Sequence, residues 1–232
     1  FLSRVQFREV EHENGIINID EIATTFEKSK VNKPNIKTIA VENTHLASGG
    51  SIVPYEHIKN IYELSQELNV NLHIDGARVW HAILQEKSSL NYGSVCDSLT
   101  FCFSKALGAP IGSMLLGSKE FINDAREYRK ILGGGTRQVG VIASMANKAL
   151  DKRQRLLEDH LKAKHVDMDL VDKKNENVEF NVKYQDTNMV FLEFENNLIA
   201  NKFIEKLKNQ KVLSGLINKN TVRLVFHKDI VD

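Results

Sequence analysis

Cysteine is scarce in this sequence, and neither sign of charge prevails. Cys96 and Cys102 are the only thiols in 232 residues. Two are too few for a disulfide framework, so a reducing, cytoplasmic setting is expected. Thirty-one Lys and Arg are balanced by thirty Asp and Glu. That balance provides no basic field of the kind that draws nucleic acid or an anionic membrane, and a small neutral or zwitterionic substrate fits better. No apolar run approaches the roughly 18 residues of a membrane span, and the N-terminus lacks the basic-then-apolar pattern of a signal peptide. His45, His57, His73 and His81 show no His-x-x-x-His spacing that would support a metal site, so none is expected. The run Gly133-Gly134-Gly135 lacks the Gly-Lys-Ser/Thr ending of a nucleotide loop. Phe1 stands where a methionine would open a chain, which suggests that the natural start lies upstream.

What is present is ordinary globular composition, 42% hydrophobic and 26% charged, enough for a large α/β domain with a smaller one attached. Short apolar runs alternate with segments of helical period, as in βα units around a mostly parallel sheet. Strands are expected at Val5 to Val10, Ile36 to Val41, Asn71 to Asp75, Ser98 to Ser104 and Ile111 to Leu116. Helices are expected at Ile19 to Lys28, from Pro54 to about Leu68, around Ala77 to Leu84, and from Ser118 to about Leu132. Pro54 suits a helix start, where its missing N–H is no loss. A long charged helix from Val139 to about His165 is expected to bridge to the second domain. From Val178 onward the order reads strand, strand (Met189 to Phe194), helix (Leu198 to Gln210), strand (Val222 to Phe226). These patterns divide the chain into a large domain over 1–160 and a small α+β domain over 161–232.

Three residues carry the first chemical expectations. Lys105 closes the alternating run Leu99 to Ser104 beside a glycine-containing turn, where partial desolvation could make its amine a nucleophile toward an aldehyde; a solvated charge at a strand end is the alternative. Asp75 ends another apolar run just before Gly76. Its carboxylate could pair with a pyridine nitrogen and keep it protonated, or it could cap the helix that follows. Arg78, within about one turn of Asp75, could hold a substrate carboxylate or the oxygen of a cofactor ring by paired hydrogen bonds, or be a surface arginine.

Four separated phrases give these residues a common context: Val41-Glu42-Asn43-Thr44-His45, Leu72-His73-Ile74-Asp75-Gly76-Ala77-Arg78, Ser104-Lys105-Ala106-Leu107-Gly108-Ala109-Pro110-Ile111-Gly112-Ser113 and Gly133-Gly134-Gly135-Thr136-Arg137-Gln138. In this order and spacing they resemble the threonine aldolases, and the resemblance extends to Arg223-Leu224-Val225-Phe226-His227. It implies a fold-type-I pyridoxal 5'-phosphate enzyme, a three-layer α/β/α large domain with a seven-stranded, mostly parallel sheet and a small C-terminal α+β domain. It further implies a homotetramer built from tight dimers with shared active sites. Threonine or allo-threonine would be cleaved to glycine and an aldehyde, an activity of threonine catabolism and glycine biosynthesis. Lys105 would carry the cofactor covalently and Asp75 would pair with its ring nitrogen. Arg78 and Arg223 would grip the substrate carboxylate and His45 would sit near the β-hydroxyl. Lys130 and Arg137 would reach cofactor phosphate across the dimer interface.

The chain departs from the family where Ala106 replaces a common glycine and Phe226 a common threonine. The family's upstream Gly-Thr phosphate cup and stacking histidine have no counterpart in these residues. Another fold-type-I enzyme, such as a β-eliminating lyase or an aminotransferase, would share Asp75 and Lys105, and an inactive, structural fragment is the non-catalytic alternative.

Overall fold

The computed structural model describes residues 3–29, 34–86, 91–172 and 180–230. Two sheets organise it. The first has four strands in the order β3 (Thr38–Glu42), β4 (Asn71–Asp75), β5 (Ser98–Cys102), β6 (Ser113–Gly117). The first three run parallel and β6 is antiparallel to β5. Alternation along these strands sends Leu72, Ile74, Leu99 and Phe101 into one core and leaves Asp75 exposed and His73, Thr100 and Cys102 half-buried. The resemblance implies seven strands in this sheet; the described residues contribute four.

Helices α1 (Ile19–Ser29), α2 (Tyr55–Glu67) and α3 (Val79–Gln85) cover the apolar face. Pro54 occupies the N-cap of α2, and Ile58 and Ile61 are fully buried at helical spacing. Each such side chain contributes about 1.5–3 kcal/mol relative to exposure. Ala77 lies in the turn before α3 rather than within it.

The second sheet is antiparallel, in the order β7 (Phe180–Tyr184), β8 (Met189–Phe194), β10 (Thr221–Val225), β9 (Gly215–Leu216). It packs with α7 (Asn197–Asn209) around its own core of Val190, Leu192, Phe194, Ala200 and Val222. Residues 178 and 179 of the strand expected from Val178 lie outside the described residues. Among the described residues, no helix is long and apolar enough to cross a membrane.

Two expectations are corrected. Val5 to Val10 forms no strand, since Val5 and Phe7 are 61% and 88% exposed and no face of the run is buried. The nearby pairing is instead a two-residue hairpin, β1 (His12–Glu13) with β2 (Ile16–Ile17). Its turn residues Asn14 and Gly15 both have positive φ, as a tight hairpin of that hand requires. The single helix expected from Val139 is broken into α5 (Gly140–Asp151), a 3-10 turn (Arg153–Arg155) and α6 (Leu156–Asp172). The break turns Arg155 back to donate a hydrogen bond to the Ala106 carbonyl. Helix α6 then joins the cores, with Leu156 in the first and Ala163 in the second. The two-residue strand β9 was not anticipated, because so short a segment carries no readable alternation.

Candidate active site

Strands β3 and β4 end side by side and β5 runs two residues further, so Glu42, Asp75 and Thr100 fall in register. The carboxyl ends of parallel strands are where ligands bind in open α/β sheets. Gly76 turns the chain tightly here, since a Cβ on it would lie 2.7 Å from the Thr100 carbonyl oxygen. Asp75 is exposed, and its Oδ1 accepts a hydrogen bond from the Ala77 amide at 3.1 Å. The turn-capping role is therefore real, and it engages one oxygen; Oδ2 has no hydrogen bond among the described residues.

Lys105 lies three residues beyond β5, in a turn closed by the Gly108 amide on the Lys105 carbonyl at 2.9 Å and the Ala109 amide on the Phe103 carbonyl at 3.0 Å. Gly108 adopts a positive φ of 80°. The expected desolvation of Lys105 is not observed: its side chain is exposed, because the turn carries it past the end of the buried strand.

Arg78 is the N-cap residue of α3 and is half-buried. Burial lowers its pKa, and Arg223 lowers it further, while Glu42, Cys102 and Asp75 act in the opposite direction. Arg78, beside β4, and Arg223, within β10, come from different sheets, and the charge of Arg223 acts on Arg78. Among the described residues no carboxylate lies within salt-bridge distance of either. Both arginines are half-buried.

His45 follows β3 on the same side. Its Nδ1 is 2.8 Å from Ser48 Oγ, its Nε2 is 3.9 Å from Glu42 Oε2, and its ring meets that of His12 edge-on at 4.5 Å. Burial lowers its pKa, with Glu42 opposing and His12 assisting, so the neutral, proton-accepting ring prevails at neutral pH. Glu42 thus stands between His45 and Arg78. The sequence reading contained it only inside a motif, although its position at a strand end, like that of Asp75, was a usable signal. Ser48 and His12 carried no such signal.

Lys130 and Arg137 are placed differently. Lys130 is in the last turn of α4 (Lys119–Ile131), Arg137 is in the connection to α5, and both are exposed. No hydrogen bond or ion pair among the described residues ties either to Lys105 or Asp75.

Asp75, His45, Arg78 and Lys105 thus close or follow the parallel strands of an α/β sheet, and Arg223 lies on a strand of the second sheet. Residues 1–195 match the model of the beta-eliminating lyase family, and the chain belongs to that family. It is 35% identical over 224 residues to low-specificity L-threonine aldolase 1 of Arabidopsis thaliana, covering 94% of this chain and 62% of the relative. It is 35% identical over 220 residues to the low-specificity L-threonine aldolase of Escherichia coli O157:H7, with the same two coverages, 94% and 62%. The chain thus spans less than two thirds of the length of these relatives. Among solved structures, a putative L-allo-threonine aldolase from Listeria monocytogenes superposes with a TM-score of 0.77 at 20% identity, over 98% of this chain and 64% of that one. A threonine aldolase from Leishmania major gives 0.70 at 14% identity, over 92% and 63%. The fold is that of the fold-type-I pyridoxal-phosphate enzymes.

Proposed function

We propose that this chain forms the substrate-facing part of a pyridoxal-phosphate lyase that cleaves threonine or allo-threonine to glycine and an aldehyde. The observation that carries this reading is that Asp75 closes β4 while His45, Arg78 and Lys105 each follow the carboxyl end of one of the three parallel strands, together with the likeness to low-specificity L-threonine aldolases.

The donor set fits the cofactor. Lys105 offers an exposed amine to an aldehyde, and the unengaged Oδ2 of Asp75 can accept a hydrogen bond from a protonated ring nitrogen. When bound, pyridoxal phosphate supplies the electron sink for carbanion chemistry at Cα. The chain's own residues do the rest. Arg78 and Arg223 hold the substrate carboxylate and so fix which bond at Cα stands ready to break. Neutral His45 takes the β-hydroxyl proton at Nε2 as the Cα–Cβ bond opens and the aldehyde leaves. Glu42, 3.9 Å from that nitrogen, stabilises the imidazolium. A proton returned to Cα completes glycine.

Lys130 and Arg137 are assigned to cofactor phosphate across a subunit interface, within a homotetramer. The apolar surface around them supports this: α4 buries none of its residues, and Tyr128, Ile131, Leu132, Val139, Val141 and Met145 are all exposed. Large apolar side chains exposed in such number on neighbouring segments favour an interaction surface. The division into 1–160 and 161–232 is supported by the two cores that α6 joins. Free Cys96 and Cys102 suit a cytoplasmic role in threonine breakdown and glycine supply.

The test is chemical. Borohydride treatment of the cofactor-loaded enzyme, followed by peptide mapping, should place the phosphopyridoxyl group on Lys105, and threonine should yield glycine and acetaldehyde without a 2-oxo acid. Labelling at Lys119 or Lys130, or 2-oxo acid formation, overturns the proposal.

A further inference from the structure

We infer that Arg155 is a positioning residue for Lys105: its guanidinium holds the Ala106 carbonyl and so fixes the turn that presents the lysine amine. The inference rests on the proposed function for the role of Lys105, and on geometry for the role of Arg155.

Lys105 has no side-chain partner among the described residues, so the direction of its amine is set by its backbone. The two bonds that close the turn, Gly108 to Lys105 and Ala109 to Phe103, leave the Ala106 carbonyl free. Arg155 supplies the third tether. Its Nη2 donates to the Ala106 oxygen, and Nη1 donates to Asp159 Oδ2 at 3.2 Å. The same Nη2 would lie 3.4 Å from a Cβ at Gly108, so the guanidinium lies close along the turn. Lys228 also approaches Gly108, with its Cδ and Cε 3.2 Å from that Cβ position.

The far end of the tether is rigid. Asp159 is 1% exposed, one helical turn along α6, and Leu156, the neighbour of Arg155, is fully buried in the first core. Burial raises the Asp159 pKa and Arg155 opposes that shift, while the 3.2 Å contact between them orients the fork. A planar guanidinium bound at both prongs has little freedom left. Helix α6 continues into the second core, which packs on the sheet carrying Arg223. The Arg155 fork therefore ties the height of the Lys105 turn to the element that positions the substrate carboxylate. A clamp that only docked α6 would stabilise the fold and leave the lysine indifferent.

The experiment compares two variants of the enzyme, Asp159→Asn and Arg155→Met/Asp159→Asn, so that no buried carboxylate is orphaned. Amide hydrogen exchange is read in the cofactor-free protein, and kinetics with threonine in the loaded one. Relative to Asp159→Asn, loss of Arg155 is expected to speed exchange at Gly108 and Ala109 about tenfold and lower kcat about tenfold, with KM within about twofold because Arg155 does not touch substrate. Unchanged exchange at those two amides overturns the inference. So does an unchanged kcat, or a rise in KM at constant kcat. If the double variant does not fold, Arg155→Lys, which keeps a cation beside Asp159 without the planar fork, is read on the same scales. Cofactor found on another lysine defeats the proposed function alone, and the exchange result still decides whether Arg155 holds the turn.

Discussion

The strand-end cluster and the α4–α5 segment are parts of one proposed site, yet they are built in opposite ways. Around the strand ends, several polar groups are tied within the chain: Asn43 is fully buried and bonded to Val53 and Tyr92, and half-buried His45 is bonded to Ser48. Across α4 and its exit, Ile131 and Leu132 are 76% and 64% exposed, and Lys130 and Arg137 stand in solvent. The first region is organised by its own fold. The second exposes apolar surface, and among the described residues neither the Lys130 nor the Arg137 side chain has a hydrogen bond or ion pair.

The most drastic way to break that contrast is subunit mixing. In the assembled enzyme, Lys105→Ala and Arg137→Ala should each be nearly inactive. If Arg137 serves the partner's site, unfolding and refolding the two variants together should restore about a quarter of wild-type activity, since about half the dimers are mixed and each regains one of two sites. No recovery in a mixture proven to contain heterodimers would place Arg137 and Lys105 in the same subunit's site.

A smaller effect sharpens the other side. Arg78→Ala and Arg223→Ala should each lower kcat/KM for threonine about a hundredfold, consistent with charge-assisted hydrogen bonds of about 1.5–3 kcal/mol that also set alignment. Because both arginines are assigned to one carboxylate, the double variant should lose less than the product of the single losses. Strict additivity in that cycle would mean that the two arginines do not share one carboxylate.

Much of this architecture was legible because it is local. Asn71 to Asp75 and Met189 to Phe194 are strands with the expected bounds, since alternation or a compact apolar run is written in adjacent residues. The motif around Lys105 located the turn but misjudged its environment, because burial of the strand does not extend to a residue three positions beyond it. The α5–α6 break was hidden because a 3-10 turn preserves enough helical spacing to read as continuous. The Arg155 contact with Ala106, 49 residues away, and the approach of Arg78 to Arg223 are tertiary, and no periodicity encodes them.

The smallest expected effect concerns the seam that keeps the strand-end region rigid, and it is read in stability rather than turnover. Helices α3 and α6 meet through His81 and His160, buried, with Nδ1 of the first 2.7 Å from Nε2 of the second. His160 Nδ1 lies 3.2 Å from Gln85 Oε1, so with that oxygen accepting, His160 carries its hydrogen on Nδ1 and accepts from His81 at Nε2. His81 Nε2 is then a buried acceptor without a partner. Adding a proton at His160 Nε2 destroys the shared bond, and adding one at His81 Nε2 places an unpaired charge in the core. Burial, His160, Arg78 and Arg155 lower the His81 pKa to about 3; burial lowers that of His160 to about 4, with Asp186 opposing. Both folded-state values lie below that of an unfolded histidine, so the unfolded chain takes up protons first. Stability is therefore fully present above about pH 6.5 and is lost as pH falls toward the folded values. The expected loss between neutral pH and pH 4.5 is on the order of a few kcal/mol, measurable by urea unfolding at a series of pH values. His160→Gln, which cannot ionise, should flatten that slope at some cost in stability at neutral pH. Parallel slopes in the variant and the unaltered protein would show that the acid sensitivity arises from other groups.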